Sequence, residues 1–300
     1  MSAFLSVVLP TLNRRETLAY GLPALARQTW PASACEILLC DSGSTDGTGE
    51  LVDELRIPNL RLLAGENLGR AAARNRGIRE AQGDIVVFTD ADILADADWL
   101  AEHARAHGAA NRIAAVGCEV QVDSLEEYQG AVEDPRRRRR LHPDRRRRLS
   151  WLFFLTGNAS VRRDDLTGAG LFDESFTGYG HEDLELGYRL EKIGLAIRYR
   201  PGAVNYHWHR QTFEARLEKM RLAGRSTVRF YQKHRDPWIK LRLGVNPLSR
   251  FLHGRLPETG RLVAACRRRH ATSALCREIA LQHAYLCGVR AALTRGEADW

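Results

Sequence analysis

The chain lacks most of the features that would take it out of the ordinary globular class. None of its six cysteines (Cys35, Cys40, Cys118, Cys266, Cys276, Cys287) stands in a Cys-x-x-Cys pair. A thiolate zinc site and a disulfide frame are therefore not indicated, and reduced thiols in a cytoplasmic protein are the expectation. No apolar stretch reaches the roughly 20 residues that cross a bilayer. No basic segment precedes the N-terminal apolar run, which Pro10 ends early. That run reads as a first strand and not as a secretory leader. There is no internal repeat. Spread-out positive charge is missing too. The net charge is +8, but Arg136 to Arg140 and Arg145 to Arg148 supply nine positive charges and Asp144 removes one, so the remainder of the chain is neutral. A nucleic-acid-binding fold is not supported by a pI that one segment creates.

What is present is alternation. Three hundred residues can bury a sizeable core, in one large domain or a domain with an appendage. Strand-like runs at residues 6–9, 36–40, 60–63, 85–89 and 113–122 alternate with helical spacing at 16–28, 48–55 and 71–81. This pattern predicts a mainly parallel sheet with helices on both faces. A helix is expected over 181–193 and short strands at 197–199 and 203–206. From Thr212 onward the chain reads as helical, interrupted at Pro237, Pro247 and Pro257.

The apolar run Ile85-Val86-Val87-Phe88-Thr89 ends in Asp90-Ala91-Asp92. Ligands of open α/β sheets collect at the carboxyl ends of the strands. Two carboxylates one residue apart there can hold a hard divalent ion, and that ion can hold a diphosphate. A polar turn with a helix cap is the competing reading. The first strand ends in Pro10-Thr11-Leu12-Asn13 and the second in Asp41-Ser42-Gly43-Ser44-Thr45-Asp46-Gly47, on the same sheet edge. Asp41 can accept from the imide N–H of uracil or thymine, which do not differ in this respect. Ser44 and Asp46 are expected to cap the helix at Thr48. Gly69 and the alanines after it let a helix start close to a ligand. Arg74, in its first turns, either reaches a phosphate or ribose or is a surface arginine. Glu182-Asp183 opens another helix, where the macrodipole favours carboxylates whether or not they act as a base. His207-Trp208-His209 closes the last strand, with both histidines on one side.

Together these pieces resemble a family 2 glycosyltransferase with the nucleotide-sugar-binding GT-A fold. The likeness rests on Val8 to Asn13, Asp41 to Gly47, Asn67 to Gly77, Asp90-Ala91-Asp92, Gly157-Asn158-Ala159-Ser160, Phe172-Asp173-Glu174 and Gly178-Tyr179-Gly180-His181-Glu182-Asp183. It covers roughly residues 4–209. The resemblance implies a Rossmann-like α/β catalytic domain over 1–211 with a helical C-terminal region over 212–300. Within the domain it implies a nucleotide-sugar half at about 1–120, a basic loop at about 130–150 and an acceptor half at about 151–211. It implies donor contacts at Pro10, Thr11, Asn13, Asp41, Ser44, Arg74, Asp90 and Ala91. Mn²⁺ or Mg²⁺ would be held by Asp92 with Asp90 and His207, the latter favoured over His209. Asp183 would be the general base and Glu182 would bind acceptor or donor hydroxyls, with an exchange of roles open. Asn158, Gly180 and Trp208 would line the acceptor. The implied reaction is transfer of a sugar from a nucleotide diphosphate, UDP favoured over dTDP, to a hydroxyl with inversion.

The acceptor would be a glycan, a lipid-linked sugar or a small molecule, in polysaccharide, glycolipid or glycosylated-product biosynthesis. The arginine segment reads as a solvated loop, a clamp on an anionic ligand or an attraction to anionic lipid. Peripheral contact with the inner face of a membrane and pairing of two copies, through that loop or the C-terminal helices, both stay open. Two rivals are a non-catalytic binding module on the same fold and a nucleotidyltransferase. The latter calls for a glycine-rich phosphate loop where Pro10-Thr11-Leu12-Asn13 stands.

Overall fold

The computed structural model describes residues 3–67, 69–109, 112–134, 148–208, 211–245 and 261–294. Most of the arginine segment, and His209, lie outside the described residues. The chain divides into two compact units: residues 1–177 with 182–210, and residues 178–181 with 211–300.

The first unit is built on a nine-stranded sheet. Strands β1 (Leu5–Thr11), β2 (Cys35–Asp41), β3 (Leu60–Ala64) and β4 (Ile85–Phe88) are the parallel part, in the order β3-β2-β1-β4. Every residue of β1, β2 and β4 is buried, which is why these strands read as continuous apolar runs without alternation. Helices α1 (Arg15–Ala26), α2 (Thr48–Leu55) and α3 (Arg70–Glu80) return the chain between them. Burying side chains such as Val7, Leu9, Ile37 and Val87 stabilises this centre by about 1.5–3 kcal/mol each. Because β1 is flanked by β2 on one side and β4 on the other, the chain reverses its winding there. Open α/β sheets take their ligands beyond the strand ends at such a point.

The second half of the sheet departs from the parallel pattern. After β5 (Ile93–Ala95), α4 (Trp99–Ala109), β6 (Ile113–Val122) and α5 (Leu125–Glu133), the short strand β7 (Arg148–Leu149) and then β8 (Ala159–Arg162) follow. β8 lies antiparallel between β4 and β6, so the sheet is mixed. Helices α6 (Arg163–Gly168) and α7 (Glu182–Lys192) precede β9 (Ala196–Trp208). β9 runs parallel to β6 and antiparallel to β5 and β7. It is one strand where two short ones were expected. Pro201 has no N–H for the ladder, and the register passes from Gly117↔Arg200 to Cys118↔Val204, leaving residues 201–203 bulged. A break in sequence pattern is thus absorbed as a bulge.

The second unit is helical: α8 (Phe213–His234), α9 (Pro237–Arg242), α10 (Arg261–Arg268) and α11 (Ala274–Thr294). Thr212 caps α8 through its hydroxyl, and Asp236 caps α9 through its carboxylate. α8 and α11 approach closely because Gly224 faces the Tyr285 carbonyl and Gly288 faces the Arg221 carbonyl. A methyl group at either position would collide with backbone. Among the described residues no helix is long and apolar enough to cross a membrane.

Candidate active site

The loops after β1 and β2 are tied together before any ligand is considered. Thr11 pairs with Asp41 in the parallel register, and Ser42 N–H donates to the Thr11 carbonyl at 3.0 Å. Asp41 is buried; its carboxylate accepts from Ser44 N–H at 3.0 Å and from Ser44 Oγ at 2.5 Å. Ser44 Oγ in turn accepts from Asn13 N–H at 2.8 Å, and Asn13 Oδ1 accepts from Thr45 N–H at 2.8 Å. Ser44 therefore does not cap α2, as its position suggested. It links the two strand-end loops. The capping oxygen comes from Asp46, which accepts from Thr48 N–H at 3.2 Å and Thr48 Oγ1 at 2.6 Å, while Gly47 occupies the cap itself at φ 86°. Pro10 and Thr11 are buried beside this junction, and Thr11 Oγ1 has no hydrogen-bond partner among the described residues.

The loop after β4 turns sharply. Thr89 N–H donates to the Val8 carbonyl, and Ile93 N–H donates to the Asp90 carbonyl at 3.1 Å. Ala91 packs into the core, flanked by the two carboxylates. Arg74 is 2% exposed, which removes the surface-arginine reading. Its Nη2 donates to Asp90 Oδ1 at 2.8 Å and its Nη1 to Glu182 Oε1 at 3.2 Å. Burial opposes its charge, but Asp90, Glu182 and Asp183 outweigh that and hold its pKa above the ordinary value. One guanidinium thus bridges the end of β4 and the start of α7, residues 108 apart in sequence from Arg74 to Glu182.

Three carboxylates surround that one cation, and the excess falls on Asp183. Burial raises its pKa first and Glu182 raises it further; Arg74 and a 2.8 Å hydrogen bond from Leu184 N–H pull it down. The balance is a pKa of about 7. A carboxylate poised there can accept a proton at neutral pH far better than an ordinary one. Glu182 is buried, and its Oε2 has no partner among the described residues, a rare condition for a buried oxygen.

Register brings Asp92 to His207. β5 and β9 pair Ile93 with His207, and Trp208 N–H donates to the Asp92 carbonyl at 2.8 Å. His207 Nε2 lies 3.5 Å from Asp92 Oδ1 and Nδ1 lies 3.0 Å from Glu119 Oε1. Burial works against the imidazolium, but the hydrogen bonds and charges of Asp92 and Glu119 prevail and push its pKa up to about 10. Two ligands of one octahedral ion, each about 2.1 Å from it, stand roughly 3 Å apart. The Asp92–His207 spacing is close to that. Among the described residues no three His, Cys, Asp or Glu side chains form a ready cage. A carboxylate and an imidazole are donors of the kind that divalent ions accept.

The residues expected at the acceptor have the following surroundings. Asn158 is 2% exposed and turned into the core. Its Oδ1 accepts from Trp99 Nε1 at 2.8 Å and lies 3.0 Å from His103 Nε2, and its Nδ2 donates to the Ala203 carbonyl at 2.9 Å. Those contacts occupy the amide, so Asn158 braces the sheet. Gly180, at φ 87°, packs against Ala223 of α8 within the helical unit. There His181, also left-handed at φ 73°, meets Thr227 Oγ1 at 2.8 Å. Trp208 is half-buried with its ring edge-on to Tyr20 at 5.5 Å. Glu119 was not foreseen. The available signal was that Glu119 and Gln121 interrupt apolar β6 at alternate positions, which places both on one face.

A mixed α/β sheet flanked by helices, with acidic residues at the strand ends, is an architecture of the GT-A type. The sequence profile described as Glycosyl transferase family 2 matches residues 6–168, and the chain belongs to that family. Validoxylamine A glucosyltransferase of Streptomyces hygroscopicus subsp. jinggangensis (strain 5008) is 34% identical over 262 residues, covering 77% of this chain and 61% of the relative. An uncharacterized glycosyltransferase of Bacillus subtilis (strain 168), YfnE, is 28% identical over 251 residues, covering 67% and 64%. The chain thus spans less than two thirds of the length of these relatives. The mannosyltransferase PcManGT from Pyrobaculum calidifontis, solved with GDP-Man and Mn²⁺, shares the fold at a TM-score of 0.63 and 21% identity, covering 99% of this chain and 89% of that one. S. aureus TarS 1-349 in complex with UDP-GlcNAc does so at 0.56 and 15%, covering 98% and 92%.

Proposed function

We propose that the chain is a metal-dependent glycosyltransferase. It moves a sugar from a nucleotide diphosphate, UDP favoured and dTDP next, to an acceptor hydroxyl with inversion. The observation that supports this reading is the double contact of Arg74, which joins Asp90 of the Asp-x-Asp motif to Glu182 of the Glu182-Asp183 pair. Asp41 uses its two oxygens on Ser44 but retains lone pairs for the imide N–H of a uracil, since a carboxylate offers about four acceptor sites. Pro10, Thr11 and Asn13 would flank the base and ribose, with Asp90 and the Ala91 backbone toward the ribose.

A divalent ion on Asp92 and His207, with Asp90 beside them, would act as a Lewis acid for the departing diphosphate. Asp183 would take the proton of the attacking hydroxyl, and Glu182 would hold a sugar hydroxyl through the oxygen that Arg74 leaves unused. Attack in line with the departing diphosphate gives inversion. The acceptor class follows from relatives alone. One is named for validoxylamine A and another, from Escherichia coli, for chondroitin synthesis, so a small polyhydroxylated product and a growing glycan are the two candidates. The cytoplasm, or the inner face of a membrane, is the proposed setting.

Calorimetric titration of UDP, dTDP and GDP, each with and without Mn²⁺, on the wild type and Asp92→Ala tests the donor site. Metal-dependent binding of one nucleotide that the variant loses is the expected result. No binding of any nucleotide in either condition would end this reading in favour of a degenerate scaffold.

A further inference from the structure

Glu119 belongs to none of the motifs that mark the site, yet it touches the side chain on which the proposed metal position depends. It lies on β6, where the parallel register sets Glu119 beside Asn205 and Gln121 beside His207 of β9. The Glu119 side chain is 14% exposed. Its Oε1 is 3.0 Å from His207 Nδ1, and Gln121 Nε2 donates to that same oxygen at 3.0 Å. The other ring nitrogen, Nε2, faces Asp92 Oδ1 at 3.5 Å. The two carboxylates therefore address opposite nitrogens of one ring. Room for this arrangement depends on Gly157: a Cβ there would come within 2.6 Å of Glu119 Oε2 and 3.7 Å of Asp90 Oδ2.

A histidine that ligates a metal through one nitrogen commonly donates its other N–H to a carboxylate. That bond selects the tautomer, fixes the ring plane and raises ligand basicity. Gln121 keeps the carboxylate in place. We propose that Glu119 is a positioning residue: by holding the Nδ1 proton of His207 it leaves Nε2, beside Asp92, as the nitrogen that gives up its proton when the divalent ion carrying the donor diphosphate binds. The proposal rests on the metal-dependent reading above and extends it to a residue that makes no contact with the donor. Glu119 acts through His207 and is not itself a ligand.

The test is Mn²⁺ binding in the presence of UDP, read from the electron paramagnetic resonance signal of free Mn²⁺. The proteins are the wild type, Glu119→Ala, Glu119→Gln, His207→Ala and the Glu119→Ala/His207→Ala double variant. UDP binding without metal and the melting temperature are followed in parallel. Loss of such an outer partner weakens a metal by about 10–100-fold. Glu119→Ala should weaken Mn²⁺ by that factor without changing metal-free UDP binding. Glu119→Gln, whose amide oxygen still accepts from Nδ1, should restore most of it. The double variant should be no worse than His207→Ala, because the two residues act as one unit. Wild-type affinity in Glu119→Ala, or additive losses in the double variant, would overturn the proposal; additivity would make Glu119 an independent ligand. Should Glu119→Ala melt early, the isosteric glutamine variant decides alone. A glutamine variant as weak as His207→Ala would then reject positioning. If wild type binds no Mn²⁺ with UDP, dTDP or GDP, the metal reading falls first and this inference with it. Wild-type binding that Glu119→Ala leaves untouched removes only the inference.

Discussion

Two polar networks in the first unit differ in charge. One joins Trp99, His103, His107, Asn158 and Ser160 between α4 and β8, with His103 and Ser160 fully buried. The other joins Arg74, Asp90, Glu182 and Asp183 at the strand ends. In the first every group is neutral. Burial drives the pKa of His103 to about 4 and that of His107 to about 3, so neither carries charge near neutral pH. In the second a single cation faces three carboxylates, and Glu182 Oε2 and Arg74 Nε lack partners among the described residues. A network that only holds a fold together can be made of neutral hydrogen bonds. A network left overcharged is poised to exchange a proton, and that contrast separates the two.

The contrast can be broken from either side. The largest effect is expected from Asp183→Asn, which removes the group poised near pH 7. Turnover should fall about 10²–10⁴-fold, the usual share of a general base. The melting temperature should not fall, because the substitution also removes a like charge beside Glu182. A variant that keeps its turnover would take the base assignment away from Asp183. Next comes Arg74→Met, which strands Glu182 in the core. Breaking a buried pair costs about 3–5 kcal/mol, so denaturant unfolding should show a loss of that order, partly recovered by adding Glu182→Gln. Ser160→Ala should cost less, about 1–3 kcal/mol, since it leaves His103 Nδ1 and His107 Nε2 without their shared hydroxyl but strands no charge.

The two networks should also respond to pH in opposite directions. His103 and His107 have folded pKa values below the ordinary 6.5, so the unfolded chain takes up protons first. Their contribution is complete above pH 6.5 and is lost as pH falls toward about 4. Asp183 has a folded pKa above the ordinary 3.8, so its ionisation destabilises the fold as pH rises through about 7, and acidification relieves that. Unfolding measured from pH 4 to 8 should therefore show Asp183→Asn gaining on the wild type from pH 4 to about 7, with no further change above that. A stability difference that stays the same across this range would contradict the raised pKa. If Asp183 is the base, turnover of the wild type should fall as pH drops below about 7.

How much of this was readable beforehand depended on range. The helix over Thr48–Leu55 and the strand over Ile113–Val122 were legible residue for residue, because turn chemistry and apolar spacing act locally. The positions of Asp41, Asp90 and Asp92 followed from strand ends in the same way. What could not be read were partners. Nothing near Arg74 announces Asp90 and Glu182, and nothing near Asn158 announces Trp99 and His103, since those meetings arise from sheet order. Ser44 looked like a cap because caps are local; its hydroxyl instead joins Asp41 to Asn13, 31 residues away. His103 and His107 stand one helical turn apart on the buried face of α4, a spacing that was visible and passed without notice. The antiparallel entry of β8 was likewise invisible, since an apolar strand has the same period whichever way it runs.

The double contact of Arg74 bears on heredity as well as chemistry. Residues 74, 90 and 182 are far apart in the gene, yet one guanidinium makes them a single unit of inheritance. A drift in charge at any one of them would be tolerated only with a matching change at another. Among naturally diverged copies of this chain, these three positions should vary together or not at all.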